Sequence, residues 1–120
     1  VVARTVNAEN TIAKFIVLEY PIRLCSMFAI ARFSVPLANA SHFEAQINSA
    51  LEAFAACNGY VSGEYGQNLD DVTLWSLTTH WENVGSYRRA LSNLNVKMNA
   101  IPILAQAIDE PGAYERPYTE

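Results

Sequence analysis

Arg32, Tyr60, Trp75 and His80 are the side chains whose types and neighbours could do chemistry. Arg32 is a charge inside the apolar run "MFAIARFSV". Such a group must reach the edge of its layer or pair with an acid, and Glu64 is the natural partner. Its other use is to hold an anionic or enolate oxygen in a cleft. His80, with an ordinary pKa of about 6.5, could act as a general base near neutral pH. Its ordinary reading is a half-exposed histidine at a strand end. Trp75 sits in mid-strand and could serve core or cleft equally. Simple alternation places Tyr60 and Tyr65 on opposite faces, so one of them can offer a hydroxyl to a cleft. His42, in the first turn of a helix, is expected in solvent. Trp81 is expected to bury its ring at a strand–helix corner with the indole N–H bonded.

These residues need elements to position them. "MFAIARFSV", Met27 to Val35, reads as a strand that is apolar on both faces and stopped by Pro36. "SHFE", Ser41 to Glu44, reads as a capping box opening a helix that carries Phe43, Ile47, Ala50, Leu51 and Phe54 on one stripe. Asn58-Gly59 supplies its stop. "YVSGEYGQ" and "VTLWSLTTHW" read as a hairpin across the turn "NLDD". In the second strand Trp75, Leu77, Thr79 and Trp81 share one face, and Leu74, Ser76, Thr78 and His80 the other. Asn83 can cap a second helix with Val84, Tyr87 and Leu91 on its apolar stripe, and Arg88 and Arg89 in solvent or at a dimer rim. Asn95 to Ile108 is helical in patches, with a break at Pro102, and "AYERPY" closes the chain as a short edge strand.

The predicted order is β-α-β-β-α-(α)-β, the split βαβ, ferredoxin-like α+β plan: an antiparallel sheet with helices on one face. The doubly apolar first strand then requires a cover for the second face, and the sheet of another copy is the simplest one.

Composition agrees with that expectation. The 120 residues make one domain, 51% hydrophobic and only 17% charged, which suits a subunit that hides surface against a partner. A net charge of -4 with no basic run speaks against nucleic acid. No run is apolar and long enough to span a membrane, and Lys14, Glu19, Pro21 and Arg23 interrupt the N-terminal one. Cys25 and Cys57 stand apart, without zinc spacing, so a reducing, cytoplasmic setting is the expectation. There is no Gly-rich phosphate loop, G-x-S-x-G or HExxH, and no metal or cofactor is expected. The domain is expected over 27–118. Residues 1–26 leave two readings: an N-terminal extension, disordered or else helical or extended from about Ile12 to Tyr20, or upstream sequence translated ahead of a natural start at Met27.

"FAIARFSVP", "FEAQINSALEAFAACNGYVSGEYGQ", "LWSLTTHWENVGSYRRAL" and "VKMNAIPILAQAIDEPGAYE" together resemble the antibiotic biosynthesis monooxygenase (ABM) domain family over Met27 to about Tyr118. The W-E-x-x-x-x-Y segment starting the second helix is the most recognisable part. The resemblance implies a dimeric α+β barrel in which two sheets face each other. It also implies one of several activities, among them cofactor-independent oxygenation of aromatic polyketides or quinols, and haem degradation. The haem-degrading pattern fails, since "NVKMNAIP" has no His and "MFAIARFSV" no Asn. Two functions remain: a cofactor-independent monooxygenase of small phenols, hydroquinones or polyketide-like compounds, with Arg32, Tyr60, Trp75 and His80 as site residues; or a non-catalytic dimeric module that binds a small apolar ligand. On the first, Trp75 would stack on the flat substrate.

Overall fold

The computed structural model describes the backbone of residues 3–7 and residues 25–117. Five strands form one antiparallel sheet: β1 (Ala3–Asn7), β2 (Met27–Ser34), β3 (Tyr60–Gln67), β4 (Leu74–Trp81) and β5 (Ala113–Glu115). Their spatial order is β1-β3-β4-β2-β5. Helices α1 (Ala40–Ala55), α2 (Val84–Leu91), α3 (Leu94–Asn99) and α4 (Ile101–Leu104) are the α-helices among the described residues. The four strands from Met27 onward and their helices are the α+β ferredoxin-like plan. β1, which the predicted order lacks, adds an edge strand beside β3. The expected helix or strand at Ile12–Tyr20 lies outside the described residues.

The alternation in β4 decides where the core sits. Trp75, Leu77, Thr79 and Trp81 are buried, while Leu74, Ser76, Thr78 and His80 are half-buried on the opposite, open face. The β2 register sets Met27 against Trp81 and Phe33 against Trp75, so both join the inner face beneath the helices. Phe43, Ile47, Leu51 and Phe54 of α1 pack down on these residues. Burying each such side chain contributes roughly 1.5–3 kcal/mol.

In β3 the register slips between Tyr60 and Ser62, so one extra residue, Val61, bulges from the ladder. This overturns the expected opposition of the two tyrosines. Both lie on the inner face, Tyr60 opposite Trp81 and Tyr65 opposite Leu77, and both are buried. The bulge inverts the alternation between them.

The capping box also does not form. Pro36 opens a 3-10 turn, Leu37–Asn39, in which the Asn39 N–H donates to the Pro36 carbonyl at 2.8 Å, and the turn runs straight into α1. Ser41 therefore lies inside the helix, and Glu44 instead accepts from the Tyr65 hydroxyl at 3.2 Å. The other boundaries follow local chemistry. Asn83 accepts from the Ser86 N–H at 2.8 Å and Asn93 from the Val96 N–H at 3.1 Å. Pro102 sits at the start of α4, where its missing N–H costs nothing. Gly59 takes a φ of 89° after α1, a conformation that needs glycine, and its α-carbon faces the Ser86 side chain too closely for a Cβ.

Candidate functional site: a cavity between the sheet and the C-terminal segment

The inner face is not filled everywhere. Ala29 and Ala31 of β2 are too small to reach the helices, and a cavity of about 300 Å³ opens above them. That is at the lower end of small-molecule sites. Phe54 and Leu77 also line it, and Leu104, Ala107 and Ile108 of the C-terminal segment form its outer wall. Among the described residues that line it, three have polar side chains: Thr79, Tyr87 and Glu110.

Thr79 is 3% exposed and accepts from the Trp81 indole N–H at 2.8 Å. Its own hydroxyl hydrogen has no acceptor among the described residues, so it is free to donate to a ligand. Trp81, which meets the rings of Phe54, Tyr60 and Tyr87 edge-on at 5.5–5.7 Å, holds that arrangement still. Tyr87 comes from the first turn of α2, and burial raises its hydroxyl above the ordinary pKa, keeping it a neutral donor. Glu110 is ionised: the Arg32 hydrogen bonds and charge hold its carboxyl below the usual range.

Arg32 does not pair with Glu64. The crossover places β4 between β2 and β3, so the two side chains stand two strands, about 10 Å, apart. Arg32 instead turns around the sheet edge and grips Glu110 with both arms, Nε to Oε2 and Nη2 to Oε1, each at 2.7 Å.

The other candidates are dispersed. Tyr60 is buried beside Trp81, with its hydroxyl pushed to a much higher pKa by desolvation. Trp75 is 2% exposed, meets Phe43 edge-on at 5.3 Å and stacks on Tyr65 at 6.3 Å. Its indole N–H has no partner among the described residues. Trp75 and Arg32 do both border a depression of about 360 Å³ by the β3–β4 turn. His80 stands on the open face, stacked on Phe28 at 6.0 Å, and Phe28 stacks on Tyr114 at 5.4 Å. Burial lowers the His80 pKa, with Glu64 opposing and Arg116 reinforcing. None of Arg32, Tyr60, Trp75 and His80 lines the inner cavity. His42 is exposed, as expected.

Thr79, Tyr87 and Glu110 are the residues that sequence reasoning passed over. Strand parity already set Thr79 beside the tryptophans. The Tyr87 stripe read as core, and nothing local announces Glu110. Among the described residues no three His, Cys, Asp or Glu side chains gather as a metal site, and no helix is long and apolar enough to cross a membrane.

The antibiotic biosynthesis monooxygenase model matches residues 26–97, more than half of the chain. The chain belongs to the antibiotic biosynthesis monooxygenase family. The match stops short of the segment that carries Glu110. Solved structures share the fold. SnoaB, a cofactor-independent oxygenase from Streptomyces nogalater, is 23% identical with a TM-score of 0.66, over 79% of this chain and 96% of that one. A conserved protein from Methanosarcina mazei Go1 is 16% identical with a TM-score of 0.65, over 78% and 95%. PA3566 from Pseudomonas aeruginosa is 11% identical with a TM-score of 0.60, over 80% and 96%. No curated protein matches the chain.

Proposed function

We propose that this ABM-family chain is a cofactor-independent monooxygenase of small aromatic compounds, phenols or hydroquinones, and that the inner cavity is its substrate site. The observation that carries the reading is the largely apolar cavity, lined also by Thr79 and Tyr87. The shared fold with an oxygenase such as SnoaB supports it. A flat ring lies between Leu77 and the C-terminal wall. The two hydroxyls donate to the ring oxygen and stabilise it as the substrate loses a proton to water at the cavity opening. The carbanion-like ring then reacts with O₂. One oxygen atom ends on the ring carbon and the other leaves as water, with the substrate supplying all four electrons. Tyr60 acts by supporting Trp81, and Arg32 by holding Glu110. Trp75 and His80, the two other candidates, shape the core and the open face.

The working unit in this reading is a homodimer. Phe28, Ile30 and Leu74 lie on the open face among Thr78, His80 and Arg32, and no described helix covers it. Two unpaired cysteines suit a cytoplasmic setting.

One observation favours a second reading, a dimeric carrier that binds without turnover. Glu110, the one carboxylate lining the cavity among the described residues, is a weakened base. Oxygen uptake decides between them. Purified protein is incubated with hydroquinones and anthrones, and binding is followed in parallel by fluorescence. Uptake above buffer supports the oxygenase. Binding without uptake leaves the carrier. Light scattering after size exclusion tests the dimer, and a clean monomer would contradict it.

A further inference from the structure

Glu110 sits where the cavity meets solvent: it lines the cavity, yet its side chain is 30% exposed. Its loop is clamped to β2 at both ends. The Ile108 N–H donates to the Arg32 carbonyl at 2.8 Å, and the Ile30 N–H donates to the Gly112 carbonyl at 2.7 Å. A Cβ on Gly112 would stand 2.5 Å from the Ile30 carbonyl oxygen, so the two backbones touch. Between these anchors, Arg32 fixes the plane of the carboxylate with two parallel bonds of 2.7 Å. Each carboxylate oxygen keeps a second lone pair, and an ionised carboxylate only accepts. The inner end of the cavity has the opposite capability, because Thr79 and Tyr87 can donate. The cavity is therefore polarised along its length: donors inside, a fixed acceptor at the opening, apolar walls between.

Resting on the cavity reading above, we infer that Glu110 is a specificity-determining residue, accepting a hydrogen bond from an O–H or N–H that the bound ring presents at the opening, and that Arg32 is its positioning residue. The favoured ligand is a neutral hydroxy- or amino-substituted aromatic ring, with an acceptor oxygen toward Thr79. Carboxylated rings of the same size are disfavoured, since a second carboxylate would face Glu110.

Three probes of one skeleton test this by fluorescence titration at neutral pH: 1-naphthol, 1-methoxynaphthalene and naphthalene. The ether keeps the acceptor oxygen and loses the donor. A hydrogen bond to a charged group gives 1-naphthol a preference over the ether of roughly tenfold or more in the wild type. In Glu110→Ala that ratio falls to near one, while naphthalene binds as before. In Arg32→Met the carboxylate remains but is released, and the ratio falls part-way. A merely structural role for the pair would alter binding of all three probes together and leave the ratio alone. Glu110→Gln, which keeps the shape and gives up the charge, is the second variant if Glu110→Ala misfolds. Equal wild-type affinities for naphthol and ether, or a ratio that survives Glu110→Ala, overturn the assignment while leaving the cavity reading intact. Failure of all three probes to bind overturns both.

Discussion

Replacing Thr79 by valine changes one hydroxyl into a methyl group of nearly the same size, and its cost can be worked out from the neighbours. The hydroxyl oxygen accepts the Trp81 indole N–H at 2.8 Å. Trp81 is fully buried and Thr79 is 3% exposed, so water cannot replace the lost acceptor. Leaving a buried donor unsatisfied costs about 1–3 kcal/mol. The added methyl returns under about 1 kcal/mol by burial. The net destabilisation is about 1–2 kcal/mol, which for a domain of this size lowers Tm by about 5–10 °C. Urea unfolding followed by circular dichroism measures it. The decisive arm is the same substitution made in a Trp81→Phe background. No N–H remains there, so Thr79→Val becomes nearly neutral, and the coupling between the two sites is about 1–2 kcal/mol. An equal cost in both backgrounds would refute the claim that Thr79 matters to stability through the indole.

Three further outcomes follow from the geometry. Ala31→Leu fills the cavity from its floor, so binding of 1-naphthol is lost while Tm holds within a few degrees; retained binding places the ligand elsewhere. Gly112→Ala drives a Cβ toward the Ile30 carbonyl and destabilises the C-terminal wall by about 1–3 kcal/mol, read as faster amide exchange at Ile108 and Ile30 than in the wild type. His80 has its pKa lowered from 6.5 in the fold, so the unfolded chain binds the proton more readily. Its contribution is present above about pH 6.5 and is lost as pH falls through the folded value; His80→Gln should flatten this slope between pH 8 and 5 in urea midpoints, and parallel curves would refute it.

Much of the frame was legible from short-range pattern. Ten residues of alternating β-branched and aromatic character sorted β4 into its two faces, because parity is a local property that a regular strand cannot evade. Asn83 announced a cap, and Pro102 a break, for the same reason. The errors came where partners lie far apart in the chain. Arg32 looked for an acid along neighbouring strands and found one 78 positions away, since only the assembled sheet edge brings Glu110 within reach. The Ser41 box lost to the turn set by Pro36, which reaches the helix first. The cavity itself is a deficit of volume over Ala29 and Ala31, and small residues in a strand carry no mark that says what will not fill the space above them. Thr79 and Tyr87 were visible as inward-facing positions, but as functional groups only once that space had a shape.

The extra residue in β3 lets two tyrosines at an odd spacing share one face. Upstream of Val61 the strand is counted in one phase, and downstream in the other. Deleting Val61 would leave Tyr60 and Ser62 adjacent and the ladder regular, with Tyr60 still opposite Trp81 and Tyr65 still opposite Leu77. Drawing Val61 into the ladder would do the opposite. Tyr65 would then swing to the open face, and Glu64 and Gly66 would be carried inward in place of the ring that stacks on Trp75. Loss of position 61 should therefore be tolerated, and a change that pulls it into regular pairing should not.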